Sequence, residues 1–240
     1  MNRKIPILLL AVSLLLCASS APQAKKGKSH SCTGIDVSRY QGEINWKKVA
    51  ADPKVGFVYI KATEGRTLLD PNYKYNIREA RKAGLKVGSY HFFTMLSTPQ
   101  EQFAQFKQYV KKEEQDLIPM IDFENSYGKS KSEIQRNLDI FIDSIVAYYG
   151  VKPMIYSTHR HYNDLLAPTY NRFHLYIGRY GTKKKAAKRP EIIGKGTYTI
   201  WQFSETGHVS GISKPVDLCR FHPNHRLSEI TIPKEKKNKK

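Results

Sequence analysis

From about residue 33 onward, short apolar runs alternate with longer amphipathic stretches. The runs are GIDVS (34–38), FVYIKAT (57–63), KVGSYHFF (86–93), LIPMIDFE (117–124), KPMIYS (152–157), HLYIGRY (174–180), TYTIWQFS (197–204) and PVDLCRF (215–221). All are rich in Ile, Val, Tyr and Phe, the residues that suit a pleated, half-buried surface, so each is read as a strand. Between them lie helix signals. Asp70-Pro71 opens one helix and Gly84 closes it. Thr98-Pro99-Gln100-Glu101 is a capping box, followed by Phe103, Phe106 and Val110 on one face. Ser130 to Glu133 is a second box, leading into Ile134, Leu138, Phe141 and Ile145, with Gly150 as the stop.

Strand and helix alternate through the first two thirds of the chain, which implies parallel strands with helices outside. In the last third no long amphipathic stretch separates the strands. The fold class expected is therefore α/β: an irregular β/α barrel of the TIM type, with eight strands and fewer than eight helices. An open, doubly wound sheet is the alternative. GxGxxG and Walker-type phosphate loops are missing from the sequence, and no internal repeat is visible.

The first residues, MNRKIPILLLAVSLLLCASSA, break the pattern. A basic start, an apolar stretch and a run of small residues form the layout of a secretory signal peptide. A buried N-terminal helix is the plainer alternative. The division expected is 1–20 signal peptide, 21–31 basic linker, 32–228 barrel and 229–240 basic tail. Lipid attachment at Cys17 is a minor reading, because LLLC lacks the usual small residue before the cysteine. Cleavage would leave Cys32 and Cys219, which suggests one disulfide in an oxidising compartment, against the alternative of two buried thiols.

Charge narrows the partners. Forty Lys and Arg against 21 Asp and Glu give a formal net charge of +19. An anionic partner follows: nucleic acid, a membrane surface or a cell-wall polymer. No nucleic-acid-binding motif is present, and export argues against that partner. An anionic wall or envelope surface is the expectation, with the protein a monomer.

Candidate chemistry lies in the acids. In barrels the catalytic groups gather at the C-terminal ends of strands. There the runs carry Asp36, the pair Asp122 and Glu124, and Asp217. Residues i and i+2 of a strand share a face, with alpha carbons about 6.5–7 Å apart. Asp122 and Glu124 thus point to one side while Phe123 packs on the other. Two close carboxylates in a partly dry site hold on to a proton, and a protonated acid beside an ionised one is what glycoside hydrolysis uses. Pairing with the many Lys and Arg is the ordinary fate of a single acid. Two acids ending one apolar strand shift the reading toward function, because burying charge is costly.

These residues resemble a known family. GIDVSRYQGEINW, YIKATEG, DPNYKYNIREARKAGLKVGSYHFF, LIPMIDFE and TIWQFSETGHVSGISKPVDLCRF match, in order, segments of the glycoside hydrolase family 25 lysozymes, the Chalaropsis-type N-acetylmuramidases. The resemblance runs from about Thr33 to Phe221. It implies cleavage of the β-1,4 bond between N-acetylmuramic acid and N-acetylglucosamine in peptidoglycan glycan strands. By position it makes Glu124 the general acid. Asp122 would stabilise charge or orient the substrate's acetamido group, and Asp36 and Asp217 would complete an acidic floor. Two residues depart from the family pattern: Tyr176 stands where Trp is frequent, and Cys219 where Asn is frequent. The second fits the disulfide idea, since barrel closure brings the first and last strands together.

Tyr90, Tyr156 and Trp201 near strand ends are expected to offer sugar-stacking faces, with core packing the alternative for each. Gln202 is expected to bond an acetamido group. Lys61 and Glu64 sit at a strand end, where Glu64 is read as holding a loop rather than reacting. The histidines of HRHY and HPNH (His159, His161, His222, His225) stand beside no acid in a known ligand pattern, so no metal and no cofactor is expected. Rival functions are a non-catalytic wall-binding barrel and a glycosidase on another N-acetylated glycan.

Overall fold

The computed structural model describes residues 33–182 and 185–233. The expected signal peptide and linker, with Cys17 and Cys32, and the expected basic tail from residue 234 on, lie outside the described residues.

The strands are β1 (Thr33–Val37), β2 (Val55–Glu64), β3 (Leu68–Leu69), β4 (Lys86–Phe92), β5 (Met120–Asp122), β6 (Met154–Thr158), β7 (Leu175–Gly178), β8 (Ile200–Gly207) and β9 (Val216–Phe221). All eight apolar runs read from the sequence form strands. β3 is a two-residue addition to β2. Pairing of β1 with both β9 and β2 closes the other eight into a barrel, which rules out the open sheet. Neighbours are parallel from β1 through β8, with β3 outside the ring. β9 runs antiparallel to both of its neighbours. The reason is the short turn after β8: without a helical crossover, the chain can return only as a hairpin.

Among the described residues the helices are α1 (Trp46–Ala51), α2 (Tyr73–Lys82), α3 (Pro99–Tyr109), α4 (Lys131–Tyr149) and α5 (His159–His161), the last running into a π turn. Both predicted capping boxes form, at Thr98/Glu101 and Ser130/Glu133. Gly150 ends α4 with φ 73°, a left-handed conformation that glycine adopts without strain. α2 starts later than Pro71. The Asp70 carboxylate accepts from Asn72 N (2.9 Å) and Arg39 N (2.8 Å), holding a turn ahead of the helix.

Strand alternation separates two apolar clusters. Val58, Ile60, Val87, Ile121, Ile155 and Ile177 face outward and pack on Phe106, Leu138, Phe141 and Ile145 of α3 and α4. Phe57, Tyr59, Met120, Met154, Tyr176 and Ile200 point inward and fill the barrel. The rings fit because glycine stands opposite. A Cβ on Gly34 would meet Phe57 Cζ at 2.2 Å, and one on Gly88 would meet Tyr59 Cε1 at 2.4 Å.

The ordered fold passes the expected boundary at 228. Ile230 is fully buried, Ile118 N donates to Ile230 O (2.9 Å), and Ile232 N donates to Asp116 O (2.9 Å). The turn Leu227–Ile230 therefore closes the barrel at the N-terminal ends of the parallel strands. No helix among the described residues is long and apolar enough to cross a membrane.

Candidate active site

The opposite mouth holds a cleft of about 450 Å³, lined among others by Asp36, Lys61, Tyr90, Asp122, Glu124, Tyr156, Tyr180, Gln202 and Asp217. The four acids named from the sequence meet here. Asp36 comes from β1, Asp122 ends β5, and Glu124 follows two residues on. Asp217 arrives differently. It lies near the start of β9, and because β9 is reversed, its beginning reaches the mouth where the parallel strands end. Asp217 pairs directly with Asp36 in the β1–β9 register.

A hydrogen-bond chain fixes Asp36. Tyr176 Oη donates to Asp36 Oδ2 (2.6 Å), and Gln202 Nε2 donates to the same oxygen (2.7 Å). Tyr156 and Tyr180 each donate a hydroxyl to Gln202 Oε1, the former at 2.7 Å. With its Oε1 taken by two hydroxyls, the Gln202 amide has one orientation, nitrogen toward the acid.

Burial pushes all four acids above the ordinary carboxylate range. For Asp36 the Tyr176 and Gln202 donors pull part of the way back. Asp122 is raised well above its usual value by burial first and by Glu124 second. Glu124 is raised chiefly by burial, with contact to Asp122 opposing the rise. The two carboxyls are in hydrogen-bond contact, which favours the protonated form of Asp122 and opposes that of Glu124. Asp217 is pushed up to about 8, by burial and then by Asp36. Lys61 is the cation facing this group. It is bound to Glu64 at 2.7 Å and rests over the Phe92 ring at 4.8 Å. Asp122 Oδ1 is buried and has no hydrogen-bond partner.

Of the expected substrate-binding residues, Tyr90, Tyr156 and Gln202 line the cleft. Trp201 does not. It neighbours inward-facing Gln202 on β8, so strand alternation turns it outward. There it is buried, donates Nε1–H to Arg179 O (2.8 Å) and packs under the Arg220 guanidinium (4.6 Å). The sequence reading missed Tyr176 and Tyr180 as partners of the acid network. The period-two rule, extended along β7 from Tyr176 through Gly178 to Tyr180, would have placed both on the inner face. For the disulfide idea, Cys219 is buried on β9 opposite Gly34, and Cys32 lies outside the described residues.

Residues 35–212 match the model of Glycosyl hydrolases family 25. An uncharacterised protein of Escherichia coli K12, YegX, is 33% identical over 198 residues, covering 81% of this chain and 71% of its own length. The autolytic lysozyme of Clostridium acetobutylicum is 34% identical over 188 residues, 78% of this chain and 55% of the relative. The solved structure of a family 25 glycosyl hydrolase from Bacillus anthracis superposes with a TM-score of 0.73 at 29% identity, covering 88% of this chain and 97% of that one. With eight barrel strands, few helices and the family's motifs in order, the chain belongs to glycosyl hydrolases family 25 and is a glycoside hydrolase of the lysozyme type, acting on peptidoglycan.

Proposed function

We propose that the protein is an exported muramidase that cuts the bond from N-acetylmuramic acid to N-acetylglucosamine, with Glu124 as general acid and Asp122 as its partner. One observation carries the reading: Asp122 and Glu124, in contact and both raised by burial, meet at a cleft walled by Asp36 and Asp217. Glu124 is the less buried of the two, so it is the one that reaches a leaving oxygen.

The pair stands too close for a two-sided attack. Retaining enzymes with a carboxylate nucleophile keep the two groups about 5–5.5 Å apart, and inverting ones further still. Carboxyls in hydrogen-bond contact favour assistance by the substrate. The acetamido oxygen attacks C1 as the C1–O bond breaks, and the Glu124 proton goes to the leaving oxygen. With the proton on Glu124, the Asp122 carboxylate accepts the acetamido N–H and so steadies the cyclic cation. Glu124 then accepts a proton from the water that adds to C1.

Export through residues 1–20 and attraction of the basic chain to an anionic envelope belong to the same proposal. Pairing of Cys32 with Cys219 is its structural corollary, and mass analysis of the mature protein without reductant reads it directly. The test of function uses purified peptidoglycan with wild type and Glu124→Gln. Released fragments are reduced with borohydride and their ends identified by mass spectrometry. Reduced muramic acid ends from wild type, with turnover of the variant lower by about 100- to 10,000-fold, support the assignment. Reduced glucosamine ends, or an active variant, overturn it.

A further inference from the structure

At the floor of the barrel, away from the acids, the fold gathers a second set of polar side chains. His174 immediately precedes β7. His225 follows β9, and Glu229 lies in the turn that closes the floor. One ligand atom from each lies within 4.8 Å of the other two. In the sequence HPNH stood alone, because the fold supplies the third residue from about 50 positions upstream.

We propose that His174, His225 and Glu229 bind one divalent transition-metal ion of the Zn2+ class, which ties the C-terminal segment to the start of β7.

Four features bear on it. The donor set is two imidazoles and a carboxylate, which suits Zn2+ and its neighbours rather than Mg2+ or Ca2+. Tetrahedral ligand atoms around Zn2+ stand about 3.3 Å apart, given bonds of about 2.0–2.1 Å, so the site has to contract from separations of up to 4.8 Å. The His174 ring is also held in place beforehand, by contact of its Nδ1 with the Thr199 hydroxyl (3.1 Å). Outer contacts of this kind fix ring orientation at metal sites. The residues line an open cavity of about 560 Å³, so an ion has a path in and water can complete its shell. Lys152 and Arg172 on the same wall, and Arg226 beside Glu229 (3.5 Å), oppose a cation and keep the affinity moderate.

The competing explanation is a plain His225–Glu229 ion pair that needs no metal. The two differ in what His174 does. In an ion pair it is a bystander; in a metal site it is a ligand. The test strips the mature protein with chelator and titrates it with Zn2+ by calorimetry, following thermal unfolding and peptidoglycan hydrolysis in parallel. One saturable equivalent, a raised Tm, and an affinity lowered about tenfold or more in both His174→Ala and Glu229→Gln are expected. Hydrolysis at the opposite mouth should be unchanged in both, which also shows that the variants fold. Co2+ in place of Zn2+ should give the intense visible bands of a low-coordinate site, lost in His174→Ala. Absence of saturable binding, or binding that survives both substitutions, overturns the proposal. Should His174→Ala not fold, His225→Gln with the Co2+ spectrum decides the same question.

Discussion

Asp217 lies directly across from Asp36 in the antiparallel β1–β9 pair, and both face the cleft. The reversed strand thus puts an acid against an acid, with its proton held up to about pH 8. Asp217 binds that proton more tightly in the folded state than in the unfolded chain, where its ordinary value is 3.8. Its contribution to stability is full below about 3.8 and is lost as the pH rises to about 8. Asp217→Asn removes the titration and keeps the shape. The variant should melt higher than wild type at pH 8 and show a flatter Tm between pH 5 and 8. Each kcal/mol recovered is worth about 2–4 °C at this size. A Tm that falls at pH 8 would show that Asp217 is stabilising as a carboxylate.

Tyr176 holds Asp36 through a 2.6 Å bond, and that bond lowers the Asp36 pKa. Tyr176→Phe should let Asp36 rise further and carry less charge near neutrality. Asp36 charge is one cause of the raised Glu124 pKa. With less of it, Glu124 loses its proton sooner, so the alkaline limb of the pH–rate profile should move to lower pH. A drop in rate with an unmoved limb would make Tyr176 a packing residue only.

How far the sequence reveals this molecule depends on which force acts locally. The strands and capped helices are legible because period-two alternation and Ser/Thr-x-x-Glu boxes are local signals. The four acids are legible because they end apolar runs. Asp217 is the exception: it lies near the start of its strand, and only the hairpin geometry of β8 and β9 puts it at the right mouth. Trp201 looks like a cleft residue by type, but its parity with inward-facing Gln202 sets it outside. The contact of His174 with His225 and Glu229 joins the start of one strand to the turn beyond another. No local pattern encodes that.

Trp201 supplies a test of that parity argument. Buried outside the barrel under Arg220, it should matter for stability and not for substrate affinity. Trp201→Ala should cost about 3–5 kcal/mol, as large core truncations do. Denaturant unfolding measures this. KM for soluble peptidoglycan fragments should stay within about twofold of wild type, since uniform binding is what a change in KM alone reports. A large rise in KM without loss of stability would return Trp201 to the cleft.

The inward glycines carry a packing prediction. A methyl at Gly34 would overlap the Phe57 ring at 2.2 Å, and that ring is fully buried. Gly34→Ala should therefore destabilise by about 1–3 kcal/mol through overpacking. Adding Phe57→Leu, which vacates ring volume, should recover part of the loss. Two independent costs that merely add in the double variant would mean the two residues do not share space.

The last prediction addresses the chemistry. Asp122 Oδ1 is a buried acceptor without a partner, and Asp122 and Glu124 are in contact. A substrate-assisted route needs the acetamido group on the sugar whose bond is cut, both as nucleophile and as the N–H donor to the Asp122 carboxylate. Peptidoglycan de-N-acetylated at muramic acid supplies a free amine there, which is cationic and has no carbonyl oxygen. The enzyme should cleave it more slowly by about 100-fold or more, the scale on which loss of a positioned catalytic group is felt. Asp122→Asn should lose activity on ordinary peptidoglycan by a similar factor, because the amide can present its N–H rather than its oxygen to the substrate. The two losses should not multiply: once the acetamido group is gone, Asp122→Asn has little left to remove. Full activity on the deacetylated wall would sink the substrate-assisted route and leave a carboxylate of the protein as nucleophile. A covalent glycosyl adduct trapped with a 2-fluoro sugar would then identify which of Asp122, Asp36 and Asp217 it is.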